Sequence, residues 1–393
     1  MRVLMMPPPA ASHVTAMVPL AWALRACGHE VLVAGQPDVL PVARSAGLST
    51  VDVGEPADLT RAGQEAMPED MFPASAFGDR HTDMGRYLWN MTAGAWVQHA
   101  EQHETAYLRV ARAWRPDVVV SDSVTLVSRM VSAELDVPLV FLRWGVDPTA
   151  GPFEETAREH LSPLADPALI IDPCPPSLQV EDAAPGHRFR YVPYNGAGSL
   201  PEWATGQASR PRVCICPGTS IMALTGPGPV RRVLQALDGM DVEVVAALTT
   251  ENRRMLGRVP THVRVVESLP LNLFLGTCDV IVHHGGSGTG LTATAHGVPQ
   301  LVLPQWTDQF DYGRRVGEAG AGISIADHCG QRDVDRLRRA LTTLIAKPDY
   351  AFAAARLRAE MSAFEPLTEA VPLLEALVRP VSVLAGLVPV ESN

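Results

Sequence analysis

Residues 279–290 read DVIVHHGGSGTG, and residues 291–303 continue LTATAHGVPQLVL. An apolar strand runs directly into a glycine-rich turn, a helix of small residues leaves it, and a second apolar strand follows. A short, unbroken apolar run bounded by turn residues reads as a strand buried on both faces of a parallel sheet. The connecting helix then makes a right-handed crossover. The glycines let the backbone approach a ligand closely. The helix start offers unpaired N–H groups and a partial positive charge. His284, Gly286, Ser287, Gly288 and Thr289 are therefore candidate donors to a phosphate or diphosphate. A plain strand–helix turn needs fewer glycines. No GK[ST] follows, and the spacing is not GxGxxG, so neither a P-loop nor a dinucleotide fingerprint is present.

The same alternation extends to both sides. Upstream, Arg2–Met6, Glu30–Ala34, Leu48–Val53, Pro116–Ser121 and Pro138–Leu142 read as strands, with helices over Met17–Ala26, Pro37–Ala46 and Val124–Leu135. Pro19 is tolerable only near the first turn of its helix. Residues 54–80, rich in Pro, Gly and acidic residues, read as a long loop, and Thr82–Trp114 as helical. From Arg212–Cys216 onward the pattern restarts and runs through the helix Tyr350–Ser362. The fold class is α/β, with two doubly wound Rossmann-like domains. The Gly- and Pro-rich segment Tyr191–Pro211 is the expected joint, giving domains at 1–200 and 201–375 and a tail at 376–393.

Length and composition agree. A chain of 393 residues suits two domains. A charged fraction of 19% beside 47% apolar residues excludes a largely disordered chain. The net charge of −11 argues against a nucleic-acid grip. No apolar run approaches the roughly 18 residues of a membrane span. MRVLMMPPPAASH is too short in its apolar part for a secretory signal, so a cytoplasmic protein is expected. The six cysteines form no CxxC pair, which argues against zinc or a disulfide framework. HAEQHE (99–104) lacks the Glu that a zinc helix carries directly after its first His. Asp333 and Asp335, spaced like a metal-binding DxD, read as the start of a helix.

Other candidate residues fall at strand ends, where doubly wound sheets bind ligands. PGTS (217–220) follows the strand RVCIC, which makes Gly218 and Ser220 candidates for the same anion. His13 lies just past the first strand and could be a general base. Asp122 ends the strand DVVVS. It could hold that base in the useful tautomer, or cap the next helix. Asp308 and Gln309 open the helix after PQWT and could hold sugar hydroxyls. Trp89, Phe141, Trp144 and Phe153 could line an apolar acceptor pocket.

Taken together, MRVL…SHVTAMVPLAWAL…GHEV, LRWGVDPTAGPF, DPCPPSLQ, YVPYNG, SLPLNLFL, HHGGSGTGLTATAHGVPQLVLPQWTDQFDYG and AGAGI make the chain resemble the family 1 glycosyltransferases of GT-B fold. Within these it is most similar to the enzymes that tailor polyketide antibiotics, such as those of the spinosyn and nogalamycin pathways. The resemblance implies two domains facing across a cleft, His13 as acceptor-activating base with Asp122 as its partner, and Gly218, Ser220, His284, Ser287, Gly288 and Thr289 as the diphosphate cradle. It implies that Leu269–Leu273 pack against the nucleotide base and that Asp308 and Gln309 bind the sugar. The implied reaction is inverting transfer of a deoxysugar from a thymidine-diphosphate (TDP) donor to a hydrophobic macrolide or aromatic aglycone. No cofactor or metal is required, because the helix start and His284 serve in its place. Many family members grip a ribose with Glu or Gln at the end of the donor motif. Here that helix reads LTATA, which fits a thymidine nucleotide lacking the 2′-hydroxyl. A non-catalytic nucleotide-sugar-binding or auxiliary protein, and a nucleotide-sugar 2-epimerase, are the rival readings. A homodimer or an activator protein stays open, with Thr82–Trp114 as the surface for it.

Overall fold

The computed structural model describes residues 1–206 and 208–378. The first sheet holds β1 (Arg2–Met5), β2 (Glu30–Gly35), β3 (Ser49–Asp52), β4 (Val118–Ser121), β5 (Leu139–Leu142), β6 (Leu169–Asp172) and β7 (His187–Arg188) in the order β3-β2-β1-β4-β5-β6-β7. The second holds β8 (Arg212–Cys216), β9 (Glu243–Leu248), β10 (Val263–Glu267), β11 (Val280–His283), β12 (Gln300–Val302) and β13 (Gly322–Ser324) in the order β10-β9-β8-β11-β12-β13. Every pairing is parallel. The central strands are covered on both faces by helices, which is why VVVS of β4 and VIVH of β11 carry no alternation and are buried throughout.

Strand order reverses between β1 and β4 in one sheet and between β8 and β11 in the other. Those reversals open a crevice at the carboxyl ends of the strands, where this architecture binds ligands.

The structure departs from the sequence-based expectation in several places; residues 145–176, which read as loop-rich, hold the helix Pro152–His160 and β6. The first helix runs Ala11–Ala26, so Pro19 lies well inside it. Its packing carries it past the proline: Val14, Met17, Val18, Leu20, Ala21 and Leu24 are all buried. Residues 54–80 contain a helix, Leu59–Ala66, and two single turns, Glu69–Met71 and Ser75–Gly78. This strap lies on the second domain: Gln64 Nε2 donates to Ala223 O at 2.8 Å, the Ala74 N–H to Gln305 O at 3.0 Å and Ser75 Oγ to Ala326 O at 2.9 Å. Finally, the chain does not stay with the second sheet up to residue 375. The helix Ala370–Val378 returns to the first domain, where Ala370, Val371 and Leu374 join Val3, Met5 and Leu20 in one core. Of the expected tail, 376–378 finish this helix, and 379–393 lie outside the described residues.

A second core bridges the domains. Val146, Cys174, Leu178 and Val180 of the first pack with Leu291, Val302, Tyr312 and Leu357 of the second.

Candidate active site

His13 occupies the first turn of the helix Ala11–Ala26, which starts ahead of the expected Met17. Asp122 follows β4 directly and is 1% exposed. Nδ1 of His13 lies 2.6 Å from Oδ2 of Asp122. A carboxylate only accepts, so Nδ1 carries the hydrogen, and in the neutral ring the lone pair is on Nε2. The other carboxylate oxygen accepts the Thr125 N–H at 3.2 Å and its Oγ1–H at 2.8 Å. Asp122 thus caps the turn into the helix Leu126–Leu135 and orients the imidazole at once.

Across the crevice, the loops after β8 and β11 close on one imidazole. Gly218 has φ +83°, a left-handed conformation that glycine alone adopts without strain. A Cβ there would overlap the His284 ring, and so would one at Gly286. Asn252, which sequence reasoning did not single out, steadies this loop by donating from Nδ2 to Gly218 O at 2.8 Å. Ser220 is exposed at the start of the short helix Ile221–Thr225.

The helix Ser287–His296 has neither a capping side chain nor an acidic residue in its first turn. Uncapped starts occur elsewhere too, as in the helices Gly228–Leu237 and Pro348–Ser362, but here two buried side-chain atoms stand beside the open start. Ser287 Oγ and His284 Nδ1 are buried without a protein partner. Buried polar groups are ordinarily paired, so an open helix start flanked by two orphaned side-chain atoms has hydrogen-bonding capacity to offer a ligand. Burial, with a smaller push from His283, lowers the His284 pKa to about 3. His284 is therefore neutral near pH 7, and contributes hydrogen bonding rather than charge. His283 is likewise lowered by burial, to about 4. It is held by Gln300 Oε1 at 2.9 Å and by the Gly285 N–H, which donates to its Nδ1 at 3.1 Å.

Leu269 and Leu273 are half-buried beside the turn Leu271–Leu273, and Gly198 of the interdomain joint passes over Pro270 and Leu273. Asn195 ties this region together, accepting the Asn272 N–H at 3.0 Å and donating to Thr292 Oγ1 at 3.3 Å. Tyr191 donates its hydroxyl to Gly288 O at 3.3 Å. Neither residue carried a local signal beyond the stretch YVPYNG.

Thr307, a β-branched residue at φ +40°, is strained. It precedes Asp308, whose Oδ1 accepts the Thr307 hydroxyl at 2.9 Å and whose Oδ2 accepts the Trp144 indole N–H at 3.2 Å. Gln309 Oε1 accepts the Gln305 and Trp306 N–H groups at 3.0 and 3.2 Å, which leaves only its NH₂ for a ligand.

Three of the four aromatics expected to line an acceptor pocket pack in the core instead. Trp89, Phe141 and Phe153 are 4%, 7% and 1% exposed. Trp89 donates its N–H to Phe77 O at 3.3 Å. Their large apolar area is worth more inside the first domain than on a cleft wall. Only Trp144 reaches the crevice. No group of three His, Cys, Asp or Glu spaced to hold a metal occurs among the described residues. Asp333 caps the helix Val334–Ala346 by accepting the Arg336 N–H at 3.0 Å.

Two parallel-sheet domains facing across a crevice, with a His–Asp pair on one side and an uncapped helix start on the other, are the GT-B glycosyltransferase arrangement. Residues 22–218 match the N-terminal domain, and residues 231–377 the C-terminal domain, of the family described as erythromycin biosynthesis protein CIII-like. The chain belongs to that family and is a sugar-transferring enzyme. It is 37% identical over 352 residues to the L-demethylnoviosyl transferase of Streptomyces niveus, covering 86% of this chain and 87% of that protein. It is 32% identical over 413 residues to the 10-deoxymethynolide desosaminyltransferase of Streptomyces venezuelae, covering 93% and 94%. Among solved structures, the spinosyn rhamnosyltransferase SpnG complexed with thymidine diphosphate matches with a TM-score of 0.88 at 44% identity, covering 95% of this chain and 100% of that one.

Proposed function

We propose that this enzyme transfers a deoxysugar, with inversion, from a TDP-sugar to a hydroxyl of a polyketide aglycone in antibiotic biosynthesis. The observation that carries the reading is the facing pair of half-sites: a carboxylate-held imidazole on the first domain, and an open helix start with orphaned Ser287 and His284 atoms on the second. The relatives supply the substrate classes, since SpnG has been solved with thymidine diphosphate and with the spinosyn aglycone.

In this reading the diphosphate sits against Gly286–Thr289, beside the loop carrying Gly218 and Ser220. Leu269 and Leu273 flank the thymine, and Asp308 and Gln309 hold the sugar. Nε2 of His13 takes the acceptor O–H proton as that oxygen bonds to the anomeric carbon. The bond from that carbon to the diphosphate oxygen breaks, and its electron pair leaves with TDP. A helix start contributes about 0.3–1 kcal/mol to an exposed anion and up to roughly 2 when partly buried. Several pre-aimed donors in a water-poor cleft do more. General-base help is typically worth about 10²–10⁴-fold. Asp122 sets the imidazole tautomer, and the proposed chemistry needs no metal.

The test incubates the enzyme with TDP-L-rhamnose and spinosyn aglycone as probes and follows glycoside and TDP by mass spectrometry. Glycoside formation supports the reading, and a donor panel then identifies the preferred sugar. TDP binding without turnover on any donor and aglycone tried, even in single-turnover mixing, would favour a binding or auxiliary protein. Release of an epimerised free sugar without acceptor would favour an epimerase.

A further inference from the structure

The Trp144 indole stands where the two half-sites meet. Its ring centroid lies 5.0 Å from that of His13, with the planes inclined at 40°. Its N–H donates to Asp308 Oδ2 at 3.2 Å. One side chain therefore touches the proposed base of the first domain and the proposed sugar ligand of the second.

The loop carrying it is locked. Arg143, 3% exposed, pairs with Asp147 at 2.9 Å and Asp172 at 2.8 Å, and donates to Ala184 O at 2.6 Å. Asp147 in turn accepts the hydroxyl of Ser123, the neighbour of Asp122, at 3.1 Å. After Trp144 comes Gly145, whose carbonyl accepts Gln179 Nε2 at 3.2 Å. A Cβ on Gly145 would overlap Ser287 Oγ, so the loop sits directly against the donor helix. Val146 packs in the core that bridges the domains. Removing one partner from a buried pair of this kind strands an uncompensated charge, so these groups hold one another in place.

We propose that Trp144 is a positioning residue: it braces the His13 imidazole by ring contact and aims the Asp308 carboxylate by its N–H, setting base and sugar grip in register across the domain boundary. This rests on the reading of His13 as base and Asp308 as sugar ligand. Asp122 fixes only one nitrogen of His13, and the ring can still pivot about that hydrogen bond. Contact with the indole removes this freedom. Misplacing a reacting group by about 1 Å can cost about 10²-fold.

The proposal has a pH signature. Burial raises the Asp308 carboxyl above its ordinary range, the Trp144 N–H and Thr307 hydroxyl hold it down together with the charge of His13, and Asp311 pushes it up. Removing the indole N–H takes away one restraint, so the carboxyl gains its proton at higher pH.

The test compares Trp144→Phe and Trp144→Tyr, which keep a ring but lose the N–H contact, with Trp144→Ala. TDP serves as binding probe, and TDP-L-rhamnose with spinosyn aglycone as reaction probes. Expected for W144F are unchanged TDP affinity, acceptor KM near the parent value, kcat lower by about 10-fold, and an acidic limb of the pH–rate profile displaced upward. W144A should lose about 10²-fold, and the W144F effect should shrink in an Asp308→Asn background. A substrate-free readout is the emission of Trp144, taken as parent minus W144F. It should change when the neighbouring ring is removed in His13→Ala. An unchanged kcat with a raised acceptor KM makes Trp144 a pocket wall and overturns the proposal, as does an emission difference indifferent to His13. If His13→Ala retains turnover, the base reading fails first. If His13→Ala is dead while W144F matches the parent in rate and pH profile, only the role of Trp144 fails.

Discussion

At the scale of single residues, the pairing of His13 with Asp122 sets the sharpest expectations. His13→Ala should lower single-turnover rates by about 10²–10⁴-fold and leave TDP affinity near normal, because the imidazole sits on the domain opposite the donor cradle. Gly218→Ala should do the reverse. Its left-handed φ and the overlap of a Cβ with His284 would displace the loop, so TDP binding measured by calorimetry should weaken at least about 10-fold. Parent-like affinity would remove Gly218 from the cradle. The residue types of this site are readable in one dimension, since glycines and an imidazole at strand ends have few other uses together. The links among them are not. Trp144 and Asp308 are separated by 164 positions, and His13 and Asp122 by 109. Nothing local marks such partners, and an aromatic side chain serves equally well as core or as cleft wall.

At the scale of elements, periodicity carried most of the fold. The strand expected at Arg212–Cys216 is β8 to the residue, and the apolar run before the glycine turn and the small-residue segment after it are β11 and the helix Ser287–His296. The first helix begins ahead of its sequence signal because Pro19 is a start signal in isolation, whereas burial of a whole apolar face outweighs its lost hydrogen bond. The strap at 54–80 showed no pattern because its order comes from partners on the other domain. Phe72 and Phe77 pack against Trp306 at centroid distances of 5.6 and 5.1 Å. The paired aspartates at 333 and 335 illustrate the opposite case, a motif with a bland explanation. Asp333→Ala should cost about 0.5–2 kcal/mol of stability through loss of the cap, read by denaturant unfolding, with glycosyl transfer and its indifference to EDTA unchanged. Strong EDTA inhibition of the parent would revive a metal role there.

At the scale of the whole molecule, buried imidazoles make stability depend on pH. Burial lowers His99 to about 4, with His103 adding to the shift, and lowers His283 to about 4 and His284 to about 3. In the unfolded chain each reverts to about 6.5. Between those values the unfolded state binds more protons, so folding free energy is lost as pH falls from about 6.5 toward 4. The loss is on the order of 1–2 kcal/mol per histidine by pH 5. The melting temperature should therefore drop between pH 7 and pH 5, and His99→Gln should flatten that drop. A pH-independent melting temperature over this interval would contradict the burial of these rings.

The homecoming of the last described helix has a practical corollary for anyone recombining such enzymes. A chimera spliced once, near position 206, would give the front half of one parent the closing helix of another, set against Val3, Met5 and Leu20. A two-crossover graft, in which 367–378 travels with the front half, keeps that seam native and should yield the better-behaved hybrid.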